Sequence, residues 1–397
     1  MIIRLPALKN LFVILVTFSI FFCSFSQMNP EQCSEPEQLW DKISQYFIPP
    51  EQYKASYGEY RPLLEFYDGQ PVSTSLQWDL RRKEILERWH QMLGGWPPLI
   101  KKQDPEILET IIKEGYIQHK IRFEWVPGQN TEGYLLIPHG AVNKPAVITV
   151  FYEPETAIGG KENNFLDFSL KLTRRGFVTL SLGTDGSRAL TGAHALYYPG
   201  IGNSQQEPLS VMAYASANAW YLLASLPEVD PERIGIMGHS YGGKWALFAS
   251  ALFEKFACAV WSDPGIVFDE SRPNVNYWEP WYLGYYPPPW ERTWQRVDNR
   301  ISGARGTYPL LVEEGHDLHE LHALMAPRPF LVSGGSEDPP ERWIPLNHTI
   351  AVNRLLGFEN RVAMTNRPSH SQNQESNEQI FNFLEYFLKY GGIFREQ

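Results

Sequence analysis

The sequence predicts an α/β protein on a mostly parallel, doubly wound sheet, and three observations predict it. Short apolar runs alternate with helix-patterned stretches from about residue 115 to the C-terminus. The run at 145–152, Pro-Ala-Val-Ile-Thr-Val-Phe-Tyr, is apolar without alternation, as in a strand covered on both faces. Residues 230–252 read turn, strand, sharp turn and helix: Asp230-Pro231, the apolar run 233–237, Gly238-His239-Ser240-Tyr241-Gly242, then an unbroken apolar helix.

That last order is the context of a nucleophile elbow. Ser240 would stand at the tip of a strained turn, and glycine two residues to either side would let helix and strand approach without a Cβ clash. Its hydroxyl would be exposed at the carboxyl end of the sheet, and the first helical turn would offer amide N–H groups to an oxyanion.

The other elements follow in chain order. The first 26 residues carry Arg4 and Lys9, an apolar run at 11–22, and Ser24 and Ser26, the pattern of a secretory signal cleaved near Gln27. It implies a periplasmic or secreted protein with no membrane span in the mature chain. Residues 27–114 read as a helical extension packing on the main domain, its clearest helix at 78–93, stopped by Gly94-Gly95 and Pro97-Pro98. The main domain, 115–397, opens with an antiparallel pair, 116–125 and 131–137, about Pro127-Gly128. Strands follow at 145–152, 176–182, 233–237, 256–261, 330–334 and 361–365, and helices at 165–174, 209–226, 344–355 and 377–390. An insertion at about 266–314 separates two of the strands.

A net charge of −10 with no basic patch argues against nucleic acid and anionic membranes as partners. Removal of the signal leaves Cys33 and Cys258, for which a disulfide is possible and not expected. No Cys/His spacing for a metal occurs, and no cofactor is expected.

Serine at its free pKa is a poor nucleophile, so a base must take its proton and an acid must orient that base. His370, in the polar loop 366–371 after the last strand, is the expected base. His90 and His119 precede the sheet, His239 adjoins the serine and should point elsewhere, and His316, His319 and His322 should share a helix. Asp338, in the turn Gly334-Gly335-Ser336-Glu337-Asp338, is the expected acid; Glu337 and Asp263 remain alternatives. The oxyanion donors should be the N–H of Tyr241 and the backbone of Tyr152 or Glu153.

Gly-His-Ser-Tyr-Gly-Gly after Asp-Pro-Glu-Arg-Ile-Gly, the run Ala-Pro-Arg-Pro-Phe-Leu at 326–331, and the late Asp and His resemble α/β-hydrolases of the dienelactone hydrolase, acetyl xylan esterase and prolyl oligopeptidase group. The resemblance implies the α/β-hydrolase fold and a serine hydrolase. The extension is too short for the propeller of prolyl oligopeptidases, which favours an esterase over a peptidase. Lys244, four residues after Ser240, is similar in position to a lysine that holds the uronic acid sugar in glucuronoyl esterases, although Tyr241 stands where those enzymes have arginine. Tyr277, Trp278, Trp281, Tyr282, Trp290 and Trp294 crowd the insertion. Flat aromatic faces hold sugar rings, so Trp278 and Trp281 are expected at a carbohydrate ester substrate, with Arg188 and His194 as further candidates for lining the cleft. The expectation is a carbohydrate esterase; a peptidase of the same triad and a non-catalytic carbohydrate-binding relict are the alternatives.

Overall fold

A computed structural model describes residues 34–160, 165–184, 196–200, 203–272, 274–279, 281–285 and 305–391. The signal stretch, Cys33, Arg188, His194, Trp290 and Trp294 lie outside the described residues.

Strands β1 (Glu106–Lys113), β2 (Tyr116–Val126) and β3 (Gln129–Pro138) form an antiparallel meander. The parallel part comprises β4 (Lys144–Phe151), β5 (Val178–Gly183), β6 (Val229–His239), β7 (Cys258–Ser262), β10 (Phe330–Gly334) and β11 (Val362–Asn366). The nine strands run β1-β2-β3-β5-β4-β6-β7-β10-β11, with β3 antiparallel to β5 and every later pair parallel. Within the insertion, β8 (Gly284–Tyr285) and β9 (Arg305–Gly306) pair separately.

The sheet begins at Glu106, earlier than the boundary near 115 expected from the sequence. β1 is an edge strand, exposed along most of its length, so its residues Glu-Ile-Leu-Glu-Thr-Ile-Ile-Lys lack the alternation that marks a half-buried strand. The parallel strands are buried on both faces because side chains alternate across the sheet. Ile148, Val150, Ile236 and Trp261 point into one core, and Val147, Met237, Cys258 and Val260 into the other.

Helices α2 (Ser75–Leu93), α5 (Pro208–Ala224), α6 (Tyr241–Leu252) and α9 (Trp343–Leu355) cover the first face. Helices α1 (Glu35–Ile43), α4 (Phe168–Arg174) and α10 (Gln374–Leu384) cover the second. Thr74 caps α2 by accepting from the Gln77 N–H, and Trp78, Ile85, Trp89 and Leu93 form its buried stripe. Each such side chain contributes about 1.5–3 kcal/mol on burial, so the extension is anchored to the domain by its own apolar face. Polar ties reinforce it: Asn347 Nδ2 donates to the carbonyls of Tyr53 and Ser56 at 2.7 and 2.8 Å, and Trp89 Nε1 donates to Glu320 at 2.8 Å. Among the described residues no helix is long and apolar enough to cross a membrane.

Candidate active site

The elbow is built by backbone strain. Ser240 sits at φ 55°, ψ −114°, between the end of β6 and the first residue of α6. A Cβ on Gly238 would run into the Gly242 carbonyl, and one on Gly242 into the Val150 carbonyl at the end of β4. Both glycines are therefore fixed by close approach, which brings the serine beside the C-terminal end of the central strand. The Ser240 N–H donates to the Ser262 carbonyl at 2.8 Å, pinning the elbow to the end of β7.

His370 reaches the elbow from the loop after β11. Its Nε2 lies 2.8 Å from Ser240 Oγ, and its Nδ1 lies 2.7 Å from Asp263 Oδ2. A carboxylate only accepts, so Nδ1 carries the proton and Nε2 is left to take the serine's. The imidazole is 39% exposed, whereas Asp263 is fully buried.

The acid beside the imidazole is thus Asp263, and the expectation for Asp338 is corrected. Asp263 follows β7 directly, at φ 50°. Its Oδ1 accepts the backbone N–H groups of Gly335, Glu337 and Asp338 at 2.6, 3.1 and 2.8 Å, which fix the carboxylate. A side chain on Gly335 would strike the Asp263 carboxylate, so this embrace requires glycine there. Asp338 faces the other way. Its oxygens accept the N–H groups of Gly265 and Ile266 at 2.8 and 2.6 Å. Burial and the charge of Asp263 push its carboxyl up to about 6. Each aspartate holds the backbone of the other's loop. Glu337 is buried but turned toward Ser336 and Asn274.

The residues expected to supply the oxyanion donors come together where α6 begins beside the end of β4. Tyr241 is the first residue of α6, and Tyr152 and Glu153 follow β4. The rings of Tyr152 and Tyr241 stack at 4.5 Å and 8°, tying the two backbone segments together. The Tyr241 hydroxyl is buried against Thr184, 3.0 Å away, and Met212.

Lys244 does not stand open in a cleft. It is 3% exposed; its Nζ donates to the Pro264 carbonyl and lies 4.3 Å from the centre of the Tyr277 ring and 5.4 Å from that of Tyr282. Trp278 and Trp281 are 2% and 3% exposed and belong to the main core, so the expectation that they present sugar-stacking faces is also corrected. Hydrophobic burial outcompetes display for rings that large.

Of two further residues at the site, the sequence reading misplaced one and missed the other. His239 does not turn away from the base: its ring packs 4.7 Å from that of His370, and its Nδ1 lies 3.1 Å from Ser262 Oγ. Burial holds its pKa well below the ordinary range, so it stays neutral there. Arg367 is a buried arginine whose guanidinium reaches Ser262, Ser333, Gly334, His370 and Ser371. Arg367 lies three residues before His370, and nothing in that spacing separates a buried arginine from a solvated one. His316, His319 and His322 are all buried; only His319 and His322 lie in α8 (His319–Ala323), and His316 bonds Glu320 at 2.8 Å. Cys258 is a free buried thiol of β7. No group of three His, Cys, Asp or Glu side chains suited to a metal occurs among the described residues.

The strand order, the elbow after β6 and the late histidine define the class: the fold is that of the α/β-hydrolases. Residues 215–355 match the prolyl oligopeptidase family, and no curated protein matches the sequence. Among solved structures, the chain is similar to a glucuronoyl esterase from Solibacter usitatus, with TM-score 0.65, 17% identity, and 85% of this chain and 99% of that one covered. It is also similar to a promiscuous family 15 carbohydrate esterase from a marine bacterial metagenome (TM-score 0.63, 16% identity, 83% and 96% covered). A family 15 glucuronoyl esterase from Caldicellulosiruptor kristjansonii matches with TM-score 0.59, 19% identity, and 85% and 93% covered.

Proposed function

We propose that the protein is an exported serine hydrolase that cleaves carboxylic esters of carbohydrate through an acyl-enzyme. The observation that carries this reading is the unbroken chain from Ser240 Oγ through His370 to Asp263, at 2.8 and 2.7 Å, at the tip of a strained elbow. Ser240 Oγ attacks the ester carbonyl while His370 Nε2 takes its proton, and Asp263 stabilises the imidazolium. The oxyanion forms against the Tyr241 N–H and a backbone N–H after β4, from Tyr152 or Glu153. Collapse of the tetrahedral adduct expels the alcohol, which takes the proton from His370. Water then adds by the same path and releases the acid, regenerating Ser240.

Similarity to carbohydrate esterases supports sugar esters as the substrate class, with acetyl or uronic acid esters as the specific bonds to test. The prolyl oligopeptidase match over 215–355 supports amide cleavage as the second reading. The signal pattern at 1–26 supports export to the periplasm or beyond.

The test is turnover of acetylated xylan, a methyl glucuronate ester, methylated pectin and a short peptide amide by the wild type and by Ser240→Ala. A sugar ester cleaved only by the wild type is the expected result. Cleavage of the amide alone would move the protein to the peptidases, and inactivity of the wild type on all four would overturn the hydrolase reading.

A further inference from the structure

The two buried aspartates of the site each have an arginine. Arg342 Nε lies 3.7 Å from Asp338 Oδ1, and Arg367 Nη2 lies 4.0 Å from Asp263 Oδ2. The two cations differ in what else they do. Arg342 also pairs with Asp269 at 2.6 Å, away from the triad. Arg367 spends its donors on the three chain segments that carry or flank the triad. Its Nη1 donates to the Ser333 carbonyl at 2.8 Å, the Ser333 hydroxyl at 3.1 Å and the Gly334 carbonyl at 3.2 Å, all at the end of β10. Its Nη2 donates to the His370 carbonyl at 2.7 Å and to Ser262 Oγ at 3.4 Å, at the end of β7. Its Nε donates to the Ser371 carbonyl at 3.0 Å. Only a planar fork with donors on several sides can reach all of these at once.

We propose that Arg367 is a positioning residue that gives Asp263, rather than Asp338, the place of the acid: its fork locks the His370 loop to the ends of β7 and β10, and its guanidinium stands beside the Asp263 carboxylate as a counter-charge. The inference rests on the hydrolase reading above.

The charges around the pair come from every neighbouring segment. From the His370 loop come His370 and Arg367, and from the β10 loop Asp338 and Glu337. Arg342 precedes α9; on α6, Lys244 touches the Pro264 carbonyl next to Asp263. His239 packs on His370 and is held neutral by burial. Two close carboxylates tend to share a proton unless one is given a counter-charge. Desolvation and the charge of Asp263 raise the Asp338 carboxyl, while the second oxygen of Asp263 faces His370.

The readout is the rate at which a fluorophosphonate labels Ser240, followed across the acidic-to-neutral range for the wild type, Arg367→Met, Arg367→Lys and Arg342→Met, with a melting curve for each. It needs no knowledge of the natural ester. Arg367→Lys keeps the charge and loses the fork, so the plateau rate should fall about tenfold with the acidic limb unmoved. Arg367→Met loses both, so the limb should also move up by about one pH unit, because the cation beside Asp263 and the His370 loop is then gone. Arg342→Met should leave the limb in place or lower it, since Asp338 then holds its proton more firmly and repels Asp263 less. A folded Arg367→Met with an unmoved limb, or an upward shift in Arg342→Met as large as in Arg367→Met, would overturn the proposal. Should Arg367→Met not fold, Arg367→Lys decides: a slowed plateau on an unmoved limb supports the proposal, and a raised limb sinks it. Absence of labelling in the wild type would remove the hydrolase reading itself, a distinct failure.

Discussion

The loops that leave β7 and β10 each carry a buried aspartate within reach of the elbow, and the two are put to opposite uses. Asp263 directly follows its strand in left-handed backbone, takes three amide N–H groups from the other loop, and turns its second oxygen to His370. Asp338 is the fourth residue past its strand and points back at the Gly265 and Ile266 amides. Both are carboxylates in turns, so residue type does not separate them. In the backbone around them the difference lies in how firmly the crossing loop holds each oxygen: both of Asp338 take a short amide bond, whereas Oδ2 of Asp263 takes only a long 3.4 Å contact from the Glu337 N–H and is left to His370.

The comparison breaks first at Asp263. Asp263→Asn should lower kcat by about 10⁴-fold while the protein folds, because an amide there no longer fixes the imidazole tautomer; single-turnover rates on any ester that the wild type cleaves would measure it. An effect of that size in Asp338→Asn with only a mild one in Asp263→Asn would reverse the assignment.

Asp338→Asn should cost roughly 10-fold to 100-fold in kcat, through a loosened Asp263 turn, with KM little changed. Its second signature is in stability. The folded-state pKa of Asp338 is raised from an ordinary 3.8 to about 6, so the stability that its proton confers is complete below about 4 and is lost as pH rises through about 6. The melting temperature of the wild type relative to Asp338→Asn should therefore fall across that window. A flat difference would mean that Asp338 is not strained by its burial.

The smallest effect is expected at Lys244, which braces the Asp263 turn through the Pro264 carbonyl. Lys244→Met should slow turnover by about 3-fold to 10-fold, equally on a uronate ester and on an acetyl ester, with KM unmoved. A rise in KM confined to the uronate ester would instead give the lysine the sugar-holding role that its position resembles.

Much of this arrangement was legible in the sequence, for reasons particular to each part. The elbow could be read because its chemistry is backbone chemistry: Gly238 and Gly242 are demanded by contacts with the main chain, which no compensating side chain can replace. His370 could be read from its place after the last strand. The acid could not, because Asp263 and Asp338 both follow strands in glycine-containing turns, and the choice depends on three-dimensional crossing of two loops 75 residues apart. Arg367 and Lys244 were misjudged or missed for one shared reason: a long cationic side chain is usually solvated, and only packing shows that these two are buried. Trp278 and Trp281 erred in the opposite direction, since rings that can stack on sugar can equally fill a core.

The strand order has a consequence for biogenesis. Ser240 sits at the middle of the sheet, but the groups that fix Asp263 lie after β10, and His370 follows β11, an edge strand and the last in sequence among the described ones. As the chain is synthesised from its N-terminus, the serine is made 130 residues before His370. A polypeptide that has not yet reached His370 therefore holds a Ser240 hydroxyl without the imidazole 2.8 Å from it in the folded protein.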